Sequence, residues 1–217
     1  MPSLEEYLQK IGRKQGALRR AVRGSPIGKT KVFGIGLNKT GTSTLGACFR
    51  TLGFRHLYDV QQLTKFYFNK DFDSIYNVME GYDSFEDWPI PLMYEELFER
   101  YGKDAKFILT MRKTPEVWVK SLSKHAKRIN FEGARNIRRN IYGFEAPDGH
   151  EAEHIAFYEK HNREVVKFFE DRGALDQLLV VCWEDGHGWD ELCGFFGLSM
   201  PWYSFPHINK APKPANS

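Results

Sequence analysis

The run Lys31-Val-Phe-Gly-Ile-Gly-Leu-Asn-Lys-Thr-Gly-Thr-Ser-Thr-Leu45 has the residue types and spacing to hold an anion. Gly36 and Gly41 stand at the spacing G-x-x-x-x-G, after a short apolar segment and before three hydroxyl residues, Thr42, Ser43 and Thr44. Glycines let the backbone curl until successive N–H groups converge, and a helix that begins at the hydroxyls adds the positive end of its dipole. The hydroxyls can cap that helix and also donate to phosphate oxygens. A nucleoside-triphosphate loop needs lysine directly after the second glycine. Here Thr42 follows Gly41, and the lysine comes earlier, at Lys39. The plain alternative is a glycine turn between strand and helix with an exposed lysine. A second concentration of charge runs from Arg112 to Arg139, where only Glu116 and Glu132 oppose the lysines and arginines. Such a field suits a small polyanionic ligand or an acidic acceptor, and a solvated helix face accounts for part of it.

An anion loop needs a strand before it and a helix behind it. Residues 32–35 read as the strand, and the helix is expected over 42–52, stopped by Gly53. Residues 54–58 read as a short second strand, with Asp59 capping a helix that contains Leu63, Phe66, Tyr67 and Phe68. The stretch 67–88 is dense in rings, among them Phe72, Tyr76, Tyr82 and Phe85. Core packing is their default role, and some are placed to line an acceptor pocket. Residues 82–89 read as a third strand closed by Trp88-Pro89, and Pro91 opens a helix ended by Gly102. Residues 105–111 form the clearest strand, followed by Thr114-Pro115, a cap and first-turn proline. A long helix is expected over 151–172, a strand over 178–183 and a last helix over 189–196. Ahead of all this, Ser3 to Glu6 resembles a capping box, and Leu4, Tyr7, Leu8 and Ile11 share one helical face. Strands that alternate with helices predict an α/β fold with a parallel sheet covered on both faces and ligands at the C-terminal strand ends. Gly36, Asp87, Arg112 and Trp183 all fall at or just after such ends.

Composition sets the bounds. A chain of 217 residues, 41% apolar and 15% aromatic, can bury a sizeable single core. Residues 31–217 are expected to form one domain, with residues 1–30 appended as a helix and basic loop. Lysine and arginine total 31 against 28 acidic residues, a net +3 too close to balance to imply a nucleic-acid partner. Cys48, Cys182 and Cys193 are odd in number, lie in apolar contexts and match no zinc spacing, so reduced core thiols are expected. No apolar run approaches the ~18 residues of a membrane span, no secretory segment opens the chain, and Glu5 and Glu6 oppose a transit peptide. The expectation is a soluble, cytoplasmic chain with no membrane partner.

The order Lys39-Thr-Gly-Thr-Ser-Thr-Leu45 resembles the 5′-phosphosulfate loop of sulfotransferases, which bind 3′-phosphoadenosine 5′-phosphosulfate. The likeness continues along the chain. Lys106-Phe-Ile-Leu-Thr-Met-Arg112, then Pro115-Glu-Val-Trp-Val-Lys-Ser121, is similar to the family's 3′-phosphate segment, with one extra residue between Arg112 and Pro115. Trp183-Glu-Asp185 is similar to the segment whose ring lies beside adenine. Asp87-Trp-Pro89, Tyr158-Glu-Lys-His-Asn162, Gly188-Trp-Asp-Glu-Leu-Cys193 and Phe205-Pro-His-Ile-Asn209 resemble the short, soluble branch of the family. The resemblance spans about residues 31–210.

That resemblance implies a three-layer α/β sandwich of the P-loop NTPase type, with a central parallel sheet. It implies an enzyme that moves a sulfuryl group to a hydroxyl or amine, with Lys39 at the bridging oxygen. Thr40, Gly41, Thr42, Ser43 and Thr44 are then the phosphosulfate cradle. Arg112, Ser121 and Lys210 grip the 3′-phosphate, and Trp183 flanks the base. A guanidinium suits that phosphate because its grip is bidentate and charge-assisted. Asp87 is the implied general base, with Trp88 supplying the burial that would raise its pKa. Its structural alternative is a turn cap. Other members use histidine, which makes His56 and His125 rivals, while Glu86 points to the opposite strand face. His161 and Asn162 read as structural hydrogen-bonding groups beside Tyr158. No metal is expected, because cationic side chains and N–H groups can supply the charge. Two other readings stand beside this one: a nucleotide kinase with a degenerate loop, and a non-catalytic nucleotide-binding protein. For the acceptor, the ring-rich stretch points to a small, partly apolar alcohol, phenol or amine, aromatic ones included, and the basic helices allow an acidic saccharide instead.

Overall fold

In the run Lys-Val-Phe-Gly that forms β1 (Lys31–Gly34), Val32 and Phe33 are both fully buried. Successive strand side chains point to opposite faces, so this strand must be covered on both. The computed structural model describes residues 4–57 and 61–206; the side chains of residues 4–9 and of Arg23 lie outside that description. β1 pairs in parallel with β2 (Ser84–Phe85) and with β3 (Ala105–Met111), and β3 pairs in parallel with β4 (Leu178–Cys182). The order β2-β1-β3-β4 places β1 and β3 at the centre. The chain leaves β1 toward one edge and later returns to the other side of it. The crevice between the C-terminal ends of β1 and β3 is therefore the topological switch point.

One face carries α2 (Thr42–Leu52) and α9 (Trp189–Phe196), where Leu45, Phe49, Leu192 and Phe196 meet Val32, Ile108 and Val181. α1 (Leu4–Arg23) lies outside α2, and a Cβ at Gly16 would collide with the carbonyls of Arg50 and Thr51. The other face carries α3 (Gln61–Phe68), α4 (Phe72–Glu80), α5 (Tyr94–Tyr101) and α8 (Glu151–Asp171). Their Leu63, Ile75, Leu97 and Phe169 close on Phe33, Phe85 and Phe107. Each such ring fully removed from water contributes roughly 1.5–3 kcal/mol. The result is an α/β sandwich with a parallel sheet between two helical layers.

α6 (Pro115–Arg128) starts as its sequence requires: Thr114 Oγ1 accepts from the Val117 N–H at 3.3 Å and Pro115 takes the first turn. α7 (Glu132–Tyr142) is not among the helices expected, although Ile137 and Ile141 stand one turn apart on it and Gly143 ends it at φ 84°. Its N-cap is Phe131 with no side-chain bond, Gly133 sits in its first turn, and the buried Arg138 donates to the carbonyls of Ile129 and Glu145. α6, α7 and α8 enclose a third cluster above the strand ends, built from Leu37, Trp88, Trp118, Tyr142 and Tyr158. Trp118 and Tyr158 stack at 4.7 Å between centroids.

Three expectations change. The second strand over 54–58 reduces to one isolated bridge, His56 to Ser84, and the sheet has four strands among the described residues. The third strand shortens to Ser84–Phe85, because Asp87 adopts φ 67°, which ends extended pairing. Most rings of the 67–88 stretch keep to their default role: Phe85 is wholly buried, and Tyr67, Phe72, Tyr76 and Tyr82 lie against the same cluster, while Phe68 is exposed. Ser3, Tyr58 and Asp59 lie outside the described residues. Cys48, Cys182 and Cys193 are free and buried.

Candidate active site

The loop after β1 is held in shape from every side before any ligand arrives. The Ile35 carbonyl accepts from His161 Nε2 at 2.8 Å. Asn38 accepts twice, from Trp118 Nε1 at its carbonyl (2.9 Å) and from the Tyr142 hydroxyl at Oδ1 (2.7 Å). Lys39 adopts φ 70°, a left-handed conformation uncommon for a side-chain-bearing residue. Gly41 follows at φ 98°, and a Cβ there would collide with the Trp183 indole, whose Nε1 donates to the Gly41 carbonyl at 3.3 Å. α2 begins at Thr42, so the first N–H groups after Gly41 have no partner inside the helix.

In front of this loop lies a cavity of about 200 Å³, lined by Asn38, Lys39, the Gly41–Thr44 turn, Asp87, Arg112, Ser121, His125 and Arg128. Residues from four separate segments thus converge at the switch point. Arg112 follows β3 directly, and its backbone N–H donates to the Tyr158 hydroxyl at 2.8 Å. Its guanidinium donates to both oxygens of Glu184 and to the Lys39 carbonyl. Ser121, His125 and Arg128 stand at i, i+4 and i+7 on α6 and so share one helical face. The extra residue between Arg112 and Pro115 is absorbed in the turn before α6, and Ser121 still reaches the cavity.

The electrostatics are those of a site that would take an anion. Burial lowers the Lys39 pKa, and the charges of Arg128 and Arg112 lower it further; only Asp87 pulls the other way. A phosphate or sulfate group would relieve that mutual repulsion. Asp87 is raised above the ordinary carboxylate range by burial, against the opposing effects of the Trp88 N–H, which donates to Oδ1 at 2.9 Å, and of Lys39. His125 is depressed to about 4 by burial and by Lys39, Arg128 and Arg138. It is neutral at neutral pH.

The other sequence candidates fall elsewhere. Thr40 is buried behind the loop, its hydroxyl 2.6 Å from both the Leu37 carbonyl and Thr110 Oγ1, and it is not a cavity residue. Trp183 backs the loop and packs on Phe205 at 5.0 Å without lining the cavity. His56 is also outside: it is sealed between Ser84 and Glu86, with Nδ1 3.1 Å from Ser84 Oγ. Burial holds it neutral, with a pKa near 3. Lys210 and Asn209 lie outside the described residues. Three site residues were not singled out in the sequence. Arg128 could have been found from its helical spacing to Ser121. Asn38 and Glu184 are visible only through their partners. Among the described residues, no group of three or more His, Cys, Asp or Glu side chains could hold a metal, and no helix is long and apolar enough to cross a membrane.

A family model described as sulfotransferase domain matches residues 31–213 of the 217. The chain belongs to the sulfotransferase family, and it is an enzyme that transfers sulfuryl groups. No curated protein matches the sequence.

Proposed function

We propose that the donor is 3′-phosphoadenosine 5′-phosphosulfate and that the enzyme moves its sulfuryl group to a hydroxyl or amine of a small acceptor. The observation that carries this reading is one cavity in which Lys39, the Gly41–Thr44 turn, Arg112 and Ser121 face Asp87. Two cationic side chains, helix N–H groups and hydroxyls suit two phosphate positions, and the carboxyl suits a proton.

In this reading the Gly41–Thr44 turn and Lys39 hold the 5′-phosphosulfate, while Arg112 and Ser121 hold the 3′-phosphate. Trp183 flanks the adenine. Asp87 takes the proton of the acceptor as its oxygen or nitrogen bonds to sulfur. The bond from sulfur to the bridging oxygen breaks, and the electron pair stays with the 5′-phosphate. Lys39 stabilises that growing charge, an electrostatic role that outweighs the others in such displacements. Residues 31–217 act as one domain, with 1–30 appended. Most of the rings that argued for an aromatic acceptor pack on the core, and Arg128, which no donor phosphate takes in this reading, favours an acceptor with anionic character.

Thermal melting tests the donor. Adenosine 3′,5′-bisphosphate should raise the melting temperature without magnesium, by a stabilisation of about 2.7 kcal/mol at roughly a hundredfold excess over Kd. ATP should do far less. Equal shifts that depend on magnesium would favour the kinase reading.

A further inference from the structure

A second surface lies well away from the cavity. Two pairs of large apolar side chains are strongly exposed: Leu18 (66%) and Val22 (75%) on α1, and Met200 (57%) and Trp202 (67%) on the segment that follows Leu198 and Ser199. Leu18 and Val22 are one turn apart on the outer side of α1, whose inner side is fixed to α2 through Gly16. They line a cavity of about 650 Å³ with Leu52 and Gly53 at the end of α2 and with Leu198 and Ser199, which lead directly into Met200. The segment then runs back along α1: the buried Tyr203 sits over Gly12, where a Cβ would collide with its ring. Trp202, 5.4 Å from the Tyr203 ring, is turned outward.

The chain that builds this patch is basic. From Tyr7 to Tyr58 the sequence contains no aspartate or glutamate. Lys10, Lys14, Arg19 and Lys29 are exposed on and just after α1. Arg20 is held by Asp83 and contributes less.

We propose that this face is a docking surface for an anionic lipid bilayer, with Leu18, Val22, Met200 and Trp202 entering the headgroup region and the lysines and Arg19 meeting lipid phosphates. Exposed aliphatic residues, an interfacial tryptophan and an excess of basic side chains are the combination that a negatively charged membrane surface selects. A second copy fits worse. A twofold contact sets each patch against itself, which brings Lys10, Lys14 and Arg19 against like charges. The contact is peripheral and needs no spanning helix. It lies at the end of α2 remote from Thr42, about 16 Å along the helix axis, so the cavity stays independent of it.

The test is co-sedimentation of the full chain with vesicles of phosphatidylcholine, with and without phosphatidylserine. The protein should bind the anionic vesicles, bind the neutral ones weakly, and dissociate at high salt. Leu18→Glu combined with Trp202→Ala should reduce the bound fraction at least about tenfold, with affinity for adenosine 3′,5′-bisphosphate unchanged. Trp202→Phe should retain binding but lose part of the fluorescence blue shift seen on vesicles. Three results would each overturn the proposal: equal binding to neutral and anionic vesicles, no binding to either, or a dimer in sedimentation velocity that the double variant dissociates.

Discussion

Arg112 and Glu184 form a two-pronged ion pair at the rim of the cavity, Nε to Oε2 at 3.0 Å and Nη2 to Oε1 at 2.7 Å. Glu184 also accepts from the Lys113 N–H at 2.9 Å. Burial opposes ionisation of Glu184, but the bonds from Arg112 and Lys113 outweigh it and lower the pKa. The pair is partly exposed, so it adds little to stability. Its effect is on orientation: together with the Lys39 carbonyl it fixes the plane of the guanidinium.

If Arg112 reads the 3′-phosphate, Arg112→Ala should weaken adenosine 3′,5′-bisphosphate by about 1.5–3 kcal/mol. Adenosine 5′-monophosphate should lose far less. Glu184→Ala should show the same selective loss to a smaller degree, because the guanidinium is then present but unaimed. Titration calorimetry with both nucleotides decides it. Equal losses for the two would make Arg112 a support for the loop through the Lys39 carbonyl.

Much of this arrangement can be read from the sequence, where local chemistry fixes the outcome. Thr114-Pro115 starts a helix, Gly53 stops one, and 105–111 is apolar enough to be a central strand. The anion loop is legible for the same reason, since glycine spacing and hydroxyls act over a few residues. What is not legible depends on distant partners. Thr40 looks like a cradle residue until Thr110 and Leu37 draw its hydroxyl inward. α7 has no side-chain N-cap, and its buried arginine is satisfied by carbonyls nine and seven residues away, partners that the sequence does not announce. Glu184 acquires its role only when β4 brings it beside Arg112.

Glu86 should leave a signature in stability against pH. It lies behind the loop, hydrogen-bonded to Thr42, with Oε1 3.9 Å from His56 Nε2. Burial first, then the charge of Asp87, pushes its pKa up to about 8. With His56 neutral and Glu86 protonated at pH 7, the two are not an ion pair there. A carboxyl raised in the folded state keeps a proton that the unfolded chain has released. Its contribution is complete below the unfolded pKa of about 4.3 and is lost as pH rises through the folded value. Glu86→Gln removes that loss. The variant's melting temperature relative to the parent should therefore climb from pH 5 to about pH 8. A difference that stays flat across that window would mean that Glu86 is ionised in the native protein.

Lys39 and Asp87 should separate binding from chemistry. In the proposed reading Lys39 meets a phosphate oxygen in the ground state and meets it more strongly as the bridging oxygen gains charge. Lys39→Ala should therefore weaken the donor modestly and lower kcat by about a hundredfold or more, the scale of a lost charge-stabilising donor. Asp87→Asn keeps size and the acceptor for the Trp88 N–H but cannot take a proton. It should leave nucleotide affinity nearly unchanged and lower kcat by about 10² to 10⁴. The pH profile supplies an independent sign. Asp87 must be ionised to act, and burial raises its pKa, so kcat in the parent should fall on the acid side with a midpoint above the ordinary carboxylate range. Asp87→Asn should abolish that limb. Turnover measured with labelled donor, on the first acceptor found by screening, decides between the two carboxyl roles. If Asp87→Asn loses stability and donor binding together, Asp87 caps the turn before Pro89. If it turns over normally with the acid limb intact, the base is elsewhere. His125 is then the next substitution, because it faces the cavity and His56 does not.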